Sequence, residues 1–151
     1  MSATSGELDR EVRRYVYDTV IARALPPLSH EVATGLGVSP SAVKVAFERL
    51  AAARVLVLQP ETREILMAMP FSAVPTPFVV HVGKTSYYGN CIWDALGIPA
   101  MLAHDARVTT TCACCGLAMT LAVNAGHLQP DSGIVHFAVP PRRWWDNIVF
   151  T

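Results

Sequence analysis

The chain has 151 residues, of which 52% are hydrophobic and 16% are charged, and its 12 Lys and Arg balance 12 Asp and Glu. This composition excludes a disordered tail and a polypeptide that coats nucleic acid. The length is that of one ordinary domain or two small ones with a buried core.

The cellular compartment follows from what the sequence lacks. No apolar run approaches the roughly 18 residues that span a bilayer, and residues 1–11 are too polar for a signal peptide. We therefore expect a cytosolic protein without membrane contact. In the cytosol, Cys91, Cys112, Cys114 and Cys115 are expected to be thiols, available as ligands, nucleophiles or core residues.

Residues 1–70 predict a winged-helix-like unit of three helices and a two-stranded wing. Apolar residues recur every three or four positions in the first helix, and Pro26 and Pro27 end it. Ser29 is the expected N-cap of the second helix, whereas Ser39 followed by Pro40 is typical of the start of the third. The predicted elements are helices at 8–23, 30–35 and 41–53 and a hairpin of residues 55–58 and 65–68.

Residues 71–77 read as a proline-rich connector, and residues 78–151 as a second unit of mixed α and β structure with short strands. The whole chain is therefore assigned to the α+β class. Asn90 is expected to cap a helix that begins at Cys91, and the three tryptophans are expected to pack in the core or between the units. The predicted elements of this unit are strands at 78–82, 107–111, 119–123 and 134–139 and a turn at 87–90.

The most informative segment is Tyr87 to Leu96, which contains Cys91 and Asp94. In the first turn of a helix, unpaired N–H groups and the helix dipole favour a thiolate. The spacing of three places the thiol and the carboxyl on one helix face. Alternatively, Cys91 is a small buried residue and Asp94 only complements the helix N-terminus.

A second cluster is formed by Cys112, Cys114, Cys115 and Gly116. A C-x-x-C followed by glycine is half of a zinc site, but no histidine pair with the usual spacing follows it. A redox C-x-x-C normally starts a helix, whereas the flanking residues here are β-like. Zinc binding, redox chemistry and core or auxiliary thiols therefore stay open, with the last favoured.

The run from Tyr87 to Leu96, with Pro99-Ala100, Ala106-Arg107-Val108 and Cys112-x-x-x-Gly116, resembles the alkylmercury (organomercurial) lyase family. The resemblance covers roughly residues 8–151 and implies a winged-helix-like unit followed by a mixed α/β catalytic unit. It also implies that the protein cleaves carbon–mercury bonds.

Site residues and partners follow from the same resemblance. Cys91 corresponds to the first mercury-binding thiolate, Asp94 to the acid that protonates the leaving carbon, and Cys112 to a structural cysteine. The implied partners are an organomercurial small molecule and a low-molecular-weight thiol that carries the metal away. No organic cofactor is implied.

The family's second catalytic cysteine has no counterpart here, because it belongs to a segment that follows a β-like stretch such as residues 146–151, where this chain stops. We expect either a fragment truncated at its C-terminus or a shortened relative with altered function, such as a non-catalytic metal-binding protein. Cys114 or Cys115 is the candidate to replace the second mercury ligand.

Two rival functions rest on other features of the chain. A winged-helix transcription regulator with a thiol-rich metal sensor would use the third helix to read DNA, but residues 1–70 hold eight basic and eight acidic residues. DNA binding prefers a basic face, so DNA is an unlikely partner. A zinc-stabilised interaction module would rest on Cys112 and Cys115 alone.

Overall fold

The computed structural model describes residues 5–149, and the N-terminal third of these residues is helical. Ser39 caps the third helix by accepting a hydrogen bond from the Ala42 N–H at 3.2 Å, and Pro40 is its first residue, as predicted. Gly37 ends the second helix with a φ of 66°, a conformation that favours glycine. The helices are α1 (Ser5–Arg23), α2 (Ser29–Leu36) and α3 (Pro40–Ala52).

The start of α2 differs from the prediction. Leu28, not Ser29, occupies the N-cap position, and Ser29 is the first helical residue. The Ser29 hydroxyl donates instead to the Glu64 carboxylate at 2.6 Å, a contact across 35 residues that fixes α2 against the hairpin. Glu31 supplies the cap by accepting from the Leu28 N–H at 2.6 Å.

The core of this region is the predicted apolar stripe. Val12, Val16 and Val20 recur every four residues along α1 and are fully buried. They pack against the apolar face of α3, whose buried residues are Val43, Ala46, Phe47 and Leu50.

A small antiparallel sheet follows α3. Its first two strands form the predicted hairpin, and the third lies inside the predicted connector, where Phe71 pairs with Ala68. At least the start of the connector is therefore part of a sheet. The strands are β1 (Leu56–Leu58), β2 (Ile65–Ala68) and β3 (Phe71–Ser72).

A second antiparallel sheet has five strands in the order β5-β4-β6-β7-β8. Three of its strands match predicted ones to within one residue at each end. The strands are β4 (Val79–Val82), β5 (Thr85–Tyr88), β6 (Ala106–Thr111), β7 (Ala118–Asn124) and β8 (His127–Gln129).

Two predictions for this sheet were wrong. The predicted turn at 87–90 is in part strand, because Tyr87 and Tyr88 pair with β4 in β5. The segment 134–139 has β-forming residues but no regular structure, and Ile134 is 93% exposed. β8 takes the edge position beside β7. Asp146, the first residue of the β-like stretch, ends a 3₁₀ helix (Pro141–Asp146), and residues 147–149 follow it as a bend and a turn. Phe150 and Thr151 lie outside the described residues.

Helix α4 (Ile92–Leu102) packs on the five-stranded sheet, and one continuous core joins the helical region to it. Tyr87 donates across this junction to the Ile21 carbonyl, and Tyr17 of α1 donates to the Met69 carbonyl between β2 and β3, each at 2.8 Å. Within residues 5–149, no helix has the length and apolarity needed to cross a bilayer.

The three tryptophans behave differently from one another. Trp145 lies under the guanidinium of Arg54, which is 5.3 Å from the ring centroid. Trp144 packs against Phe137. Trp93 is 62% exposed, so the expectation that it lies in the core was wrong.

Candidate functional site

The segment that carries Cys91 is held tightly between β5 and α4. The Gly89 N–H donates to the Phe78 carbonyl at 2.9 Å, and its carbonyl accepts from the Thr76 hydroxyl at 2.6 Å. A side chain at Gly89 would meet the Ala95 backbone at 2.7 Å, so only glycine lets β5 approach the first turn of α4 this closely. The position of Cys91 is therefore fixed by its neighbours on both sides.

Cys91 itself is the N-cap of α4, so the helix begins one residue later than predicted. Its backbone is extended and its carbonyl accepts from the Ala95 N–H at 2.9 Å, the first hydrogen bond of the helix. The side chain makes no well-aligned capping hydrogen bond.

Asn90 does not cap the helix. Its Nδ2 donates to the Pro70 carbonyl at 3.0 Å and lies 3.7 Å from the Met69 Sδ. Its Oδ1 is buried without a hydrogen-bond partner among the described residues. Asn90 therefore fastens the start of α4 to the loop before β3 and keeps one unused acceptor beside the site.

The structure brings Cys91 and Asp94 together, as the spacing predicted. Burial raises the pKa of the Cys91 thiol, and the nearby charge and hydrogen bonding of the Asp94 carboxyl raise it further. The N–H groups of Trp93 and Asp94 lower that pKa but do not overcome the burial. The N–H groups at the helix start therefore favour the thiolate as expected, but in the free protein desolvation outweighs them and the pKa is raised.

Asp94 has the property that a proton donor needs. Burial raises the pKa of its carboxyl, while hydrogen bonding from Asn90 and Cys91 lowers it by less. Cys91 and Asp94 thus form a half-buried pair in which the thiol can donate to the carboxylate.

The other three cysteines lie in the loop between β6 and β7. Cys112 closes the loop, since its N–H donates to the Leu117 carbonyl and its carbonyl accepts from the Gly116 N–H, both at 2.8 Å. The N–H groups of Cys115 and Cys114, in that order, lower the pKa of the Cys112 thiol. Cys114 and Cys115 are exposed, and all four cysteines are free thiols.

The sheet register relates this loop to Cys91. Val79 of β4 pairs with Tyr88 on one side and with Thr109 on the other. Because β5 and β6 are both antiparallel to β4, they run in the same direction, and Cys91 and Cys112 each lie three residues beyond that row. Both cysteines therefore follow the C-terminal ends of their strands at the same end of the sheet. β5 and β6 are about 10 Å apart there, because one strand lies between them.

A closed zinc site finds no support in this geometry. Between residues 5 and 149, no three His, Cys, Asp or Glu side chains are grouped so that they could hold a metal ion. Cys112 and Cys115 thus lack the further ligands that tetrahedral zinc requires.

Sequence reasoning missed two residues of the site. Gly89 and Asn90 were assigned to a turn and a cap, although the first permits the close approach of α4 and the second contacts Pro70 across 20 residues. A glycine directly before a predicted helix start was the available signal for the close approach. Nothing local signalled the contact with Pro70.

Comparisons with known proteins address the fold and the family of this chain. A crystal structure described as the mercury-bound form of MerB2 superimposes with a TM-score of 0.63 at 21% identity, covering 81% of this chain and 61% of that one. The likeness establishes the mixed α+β fold, and the chain spans less than two thirds of the length of that protein. A search of curated proteins gave no match. The family model described as MerB: Alkylmercury lyase matches residues 71–151, more than half of the chain, and the protein therefore belongs to the alkylmercury lyase family.

Proposed function

We propose that the protein cleaves the carbon–mercury bond of organomercurials, with Cys91 binding the metal and Asp94 delivering the proton. The observation that carries this proposal is the half-buried contact between the two side chains, in which burial raises the pKa of the carboxyl. A buried carboxylic acid beside a soft-metal ligand is what protonation of a mercury-bound carbon requires.

The first step is capture of the metal. The organomercurial arrives with its mercury bound to a small thiolate, and the Cys91 sulfur displaces that thiolate. The thiol proton passes to the Asp94 carboxylate, with which the thiol interacts in the free protein. Asp94 is then neutral, and the mercury is bound to Cys91 and to its organic group.

The second step is protonolysis. The Asp94 carboxyl gives its proton to the mercury-bound carbon, and the carbon–mercury electron pair becomes the new carbon–hydrogen bond. The hydrocarbon leaves, and mercury(II) stays on Cys91 with the carboxylate restored. A second thiolate donates electron density to the mercury during this step, and we assign that part to a low-molecular-weight thiol, which also carries the metal away.

The remaining assignments complete the proposal. We place residues 1–70 in a winged-helix-like unit that serves as a packing module, residues 71–77 in a connecting segment and residues 78–151 in the catalytic unit, and we place the protein in the cytosol. In α3, the helix that would read DNA, Arg49 donates to both carboxylate oxygens of Asp9 at 2.6 to 3.1 Å. Arg63 of the hairpin pairs with Glu48 at 3.5 Å. These basic groups are engaged within the protein, which favours packing over phosphate contacts.

The test is release of benzene from a phenylmercury salt by the purified protein in an excess of a small monothiol, followed by gas chromatography of the headspace. We expect release by the unchanged protein and by the control Cys114→Ser. Cys91→Ser should lose both tight binding and release, and Asp94→Asn should bind but not release.

Two results would contradict the proposal in different ways. Benzene release by Asp94→Asn at the unchanged rate would remove Asp94 from the mechanism. Binding of phenylmercury through Cys91 without any release by the unchanged protein would establish the non-catalytic metal-binding alternative.

A further inference from the structure

We propose that Cys112 and Cys115 form a second metal site, which holds a soft cation between two thiolates. The cations that suit two sulfur ligands in a line are mercury(II) and copper(I), and mercury(II) is the one that the proposed reaction would release. The site itself does not depend on that reaction, because its ligands are separate from Cys91 and Asp94.

The loop that carries the two thiols is fixed at both ends. β6 and β7 pair without a break up to Thr111 and Ala118, and the two backbone hydrogen bonds of Cys112 continue the ladder into the loop. Gly116 completes the reversal with a φ of 71°, which an L-residue with a side chain rarely adopts. A loop held in this way keeps its two sulfur atoms close to each other before any metal arrives.

The turn brings other groups of the loop close to the Cys112 sulfur. The N–H groups of Cys115 and Cys114 both point at that sulfur, and the Cys115 thiol donates to it as well. The second sulfur therefore lies within hydrogen-bonding reach of the first, so a single ion can replace the shared proton.

The number of ligands selects the metal. Zinc requires four ligands, and the described residues supply only two here. Thiolates select soft metal ions, so a pair of sulfurs without further ligands favours mercury(II) or copper(I). Cys114 is exposed in the same loop and interacts with the Cys112 sulfur through its N–H, whereas Cys115 interacts through its thiol as well.

The place of the loop in the sheet gives the site a role. Cys91 and Cys112 follow β5 and β6 at the same end of the five-stranded sheet, and only β4 separates these two strands. Mercury(II) released at Cys91 therefore emerges on the side of the molecule where the dithiol lies.

The exchange that loads the site balances without an oxidant or reductant. Mercury(II) bound to two small thiolates transfers to Cys112 and Cys115, forming two sulfur–mercury bonds and breaking two. The protons of the two protein thiols pass to the departing small thiolates, so two small thiols are released.

The experiment uses Cys91→Ser, in which the proposed catalytic ligand is absent. The protein is equilibrated with mercuric chloride in an excess of 2-mercaptoethanol without oxygen, and bound mercury is measured by dialysis and by thiolate-to-mercury absorbance in the ultraviolet. We expect one mercury per chain. Adding Cys115→Ser should weaken retention roughly 10²-fold, since a chelate becomes a single ligand.

The matched control adds Cys114→Ser to Cys91→Ser and should retain the metal unchanged, with circular dichroism confirming the fold of every variant. Equal weakening by Cys114→Ser and Cys115→Ser would overturn the assignment, as would no binding in Cys91→Ser. Neither result bears on benzene release by the unchanged protein, so failure of this site and failure of the proposed function are distinguishable.

Discussion

The close approach of Gly89 to α4 makes a prediction with an internal control. A Cβ at Gly89 would lie 2.7 Å from the Ala95 nitrogen and 2.9 Å from its Cα. Ordinary contact begins near 3.4 Å, so Gly89→Ala must move the first turn of α4 by about 0.7 Å. The obstacle is backbone rather than a flexible side chain, and the hydrogen bonds of Gly89 to Phe78 and Thr76 resist movement of the other partner.

Overpacking of this kind costs about 1 to 3 kcal/mol. For a chain of this size that corresponds to a fall in melting temperature of about 3 to 10 °C. The control is Gly97→Ala in the same helix, where an added Cβ meets nothing within 4 Å. Alanine is favoured over glycine inside a helix by about 0.5 to 1 kcal/mol, so this variant should melt higher than the unchanged protein.

The assay is thermal unfolding followed by circular dichroism, with benzene release measured on the same samples at a temperature where both are folded. A shift of the proposed catalytic pair, Cys91 and Asp94, that approaches 1 Å can cost on the order of 10² in rate, so Gly89→Ala should lose most of the proposed activity and Gly97→Ala should not. Equal melting temperatures for Gly89→Ala and the unchanged protein would refute the reasoning, because the contact with Ala95 would then be easily relieved.

Three further predictions follow from other contacts. The charge and hydrogen bonding of the Asp94 carboxyl raise the pKa of the Cys91 thiol, so Asp94→Asn should lower that pKa and speed alkylation of Cys91 by iodoacetamide at neutral pH. The rate is measured by peptide mapping with the other three thiols as reference, and an unchanged rate would contradict the prediction. The hydrogen bond from Arg23 and then the Leu28 N–H lower the pKa of Glu31 from 4.5 to about 2, so its stabilising contribution is present above pH 4.5 and lost as the pH falls to about 2; Glu31→Gln should shift the urea midpoint at pH 6 but not at pH 2. Phe47 is fully buried, so Phe47→Ala should lower the free energy of unfolding by about 3 to 5 kcal/mol. A loss below about 1 kcal/mol would mean that neighbouring side chains relax into the cavity.

The elements that the sequence predicted well are those whose signals are local. The stripe of Val12, Val16 and Val20 and the cap at Ser39 each lie within a few residues of the helix that they specify. The pairing of Cys91 with Asp94 was predictable for the same reason, since helix geometry alone brings positions three apart together.

The features that escaped prediction depend on distant parts of the chain. β8 has only three residues and forms because β7 offers an edge, whereas 134–139 has the residues of a strand but no partner. The pKa of Cys91 was misjudged because its burial comes from tertiary packing, which outweighs the local helix dipole. The contact between Asn90 and Pro70 likewise joins two loops that no local pattern relates.

The relation between the two cysteine segments depends on the register of a single central strand. β4 pairs with β5 and β6 at once, so the row through Val79 fixes where both neighbours end. A slip of one residue between β4 and β6 would turn Val108 from the core to the opposite face, and because Val108 is fully buried the slip is strongly disfavoured. The same apolar packing that stabilises the sheet therefore keeps the Cys112 loop at the end of the sheet where Cys91 caps α4. The soft-metal chemistry proposed for the two sites thus depends on a register that the core sets.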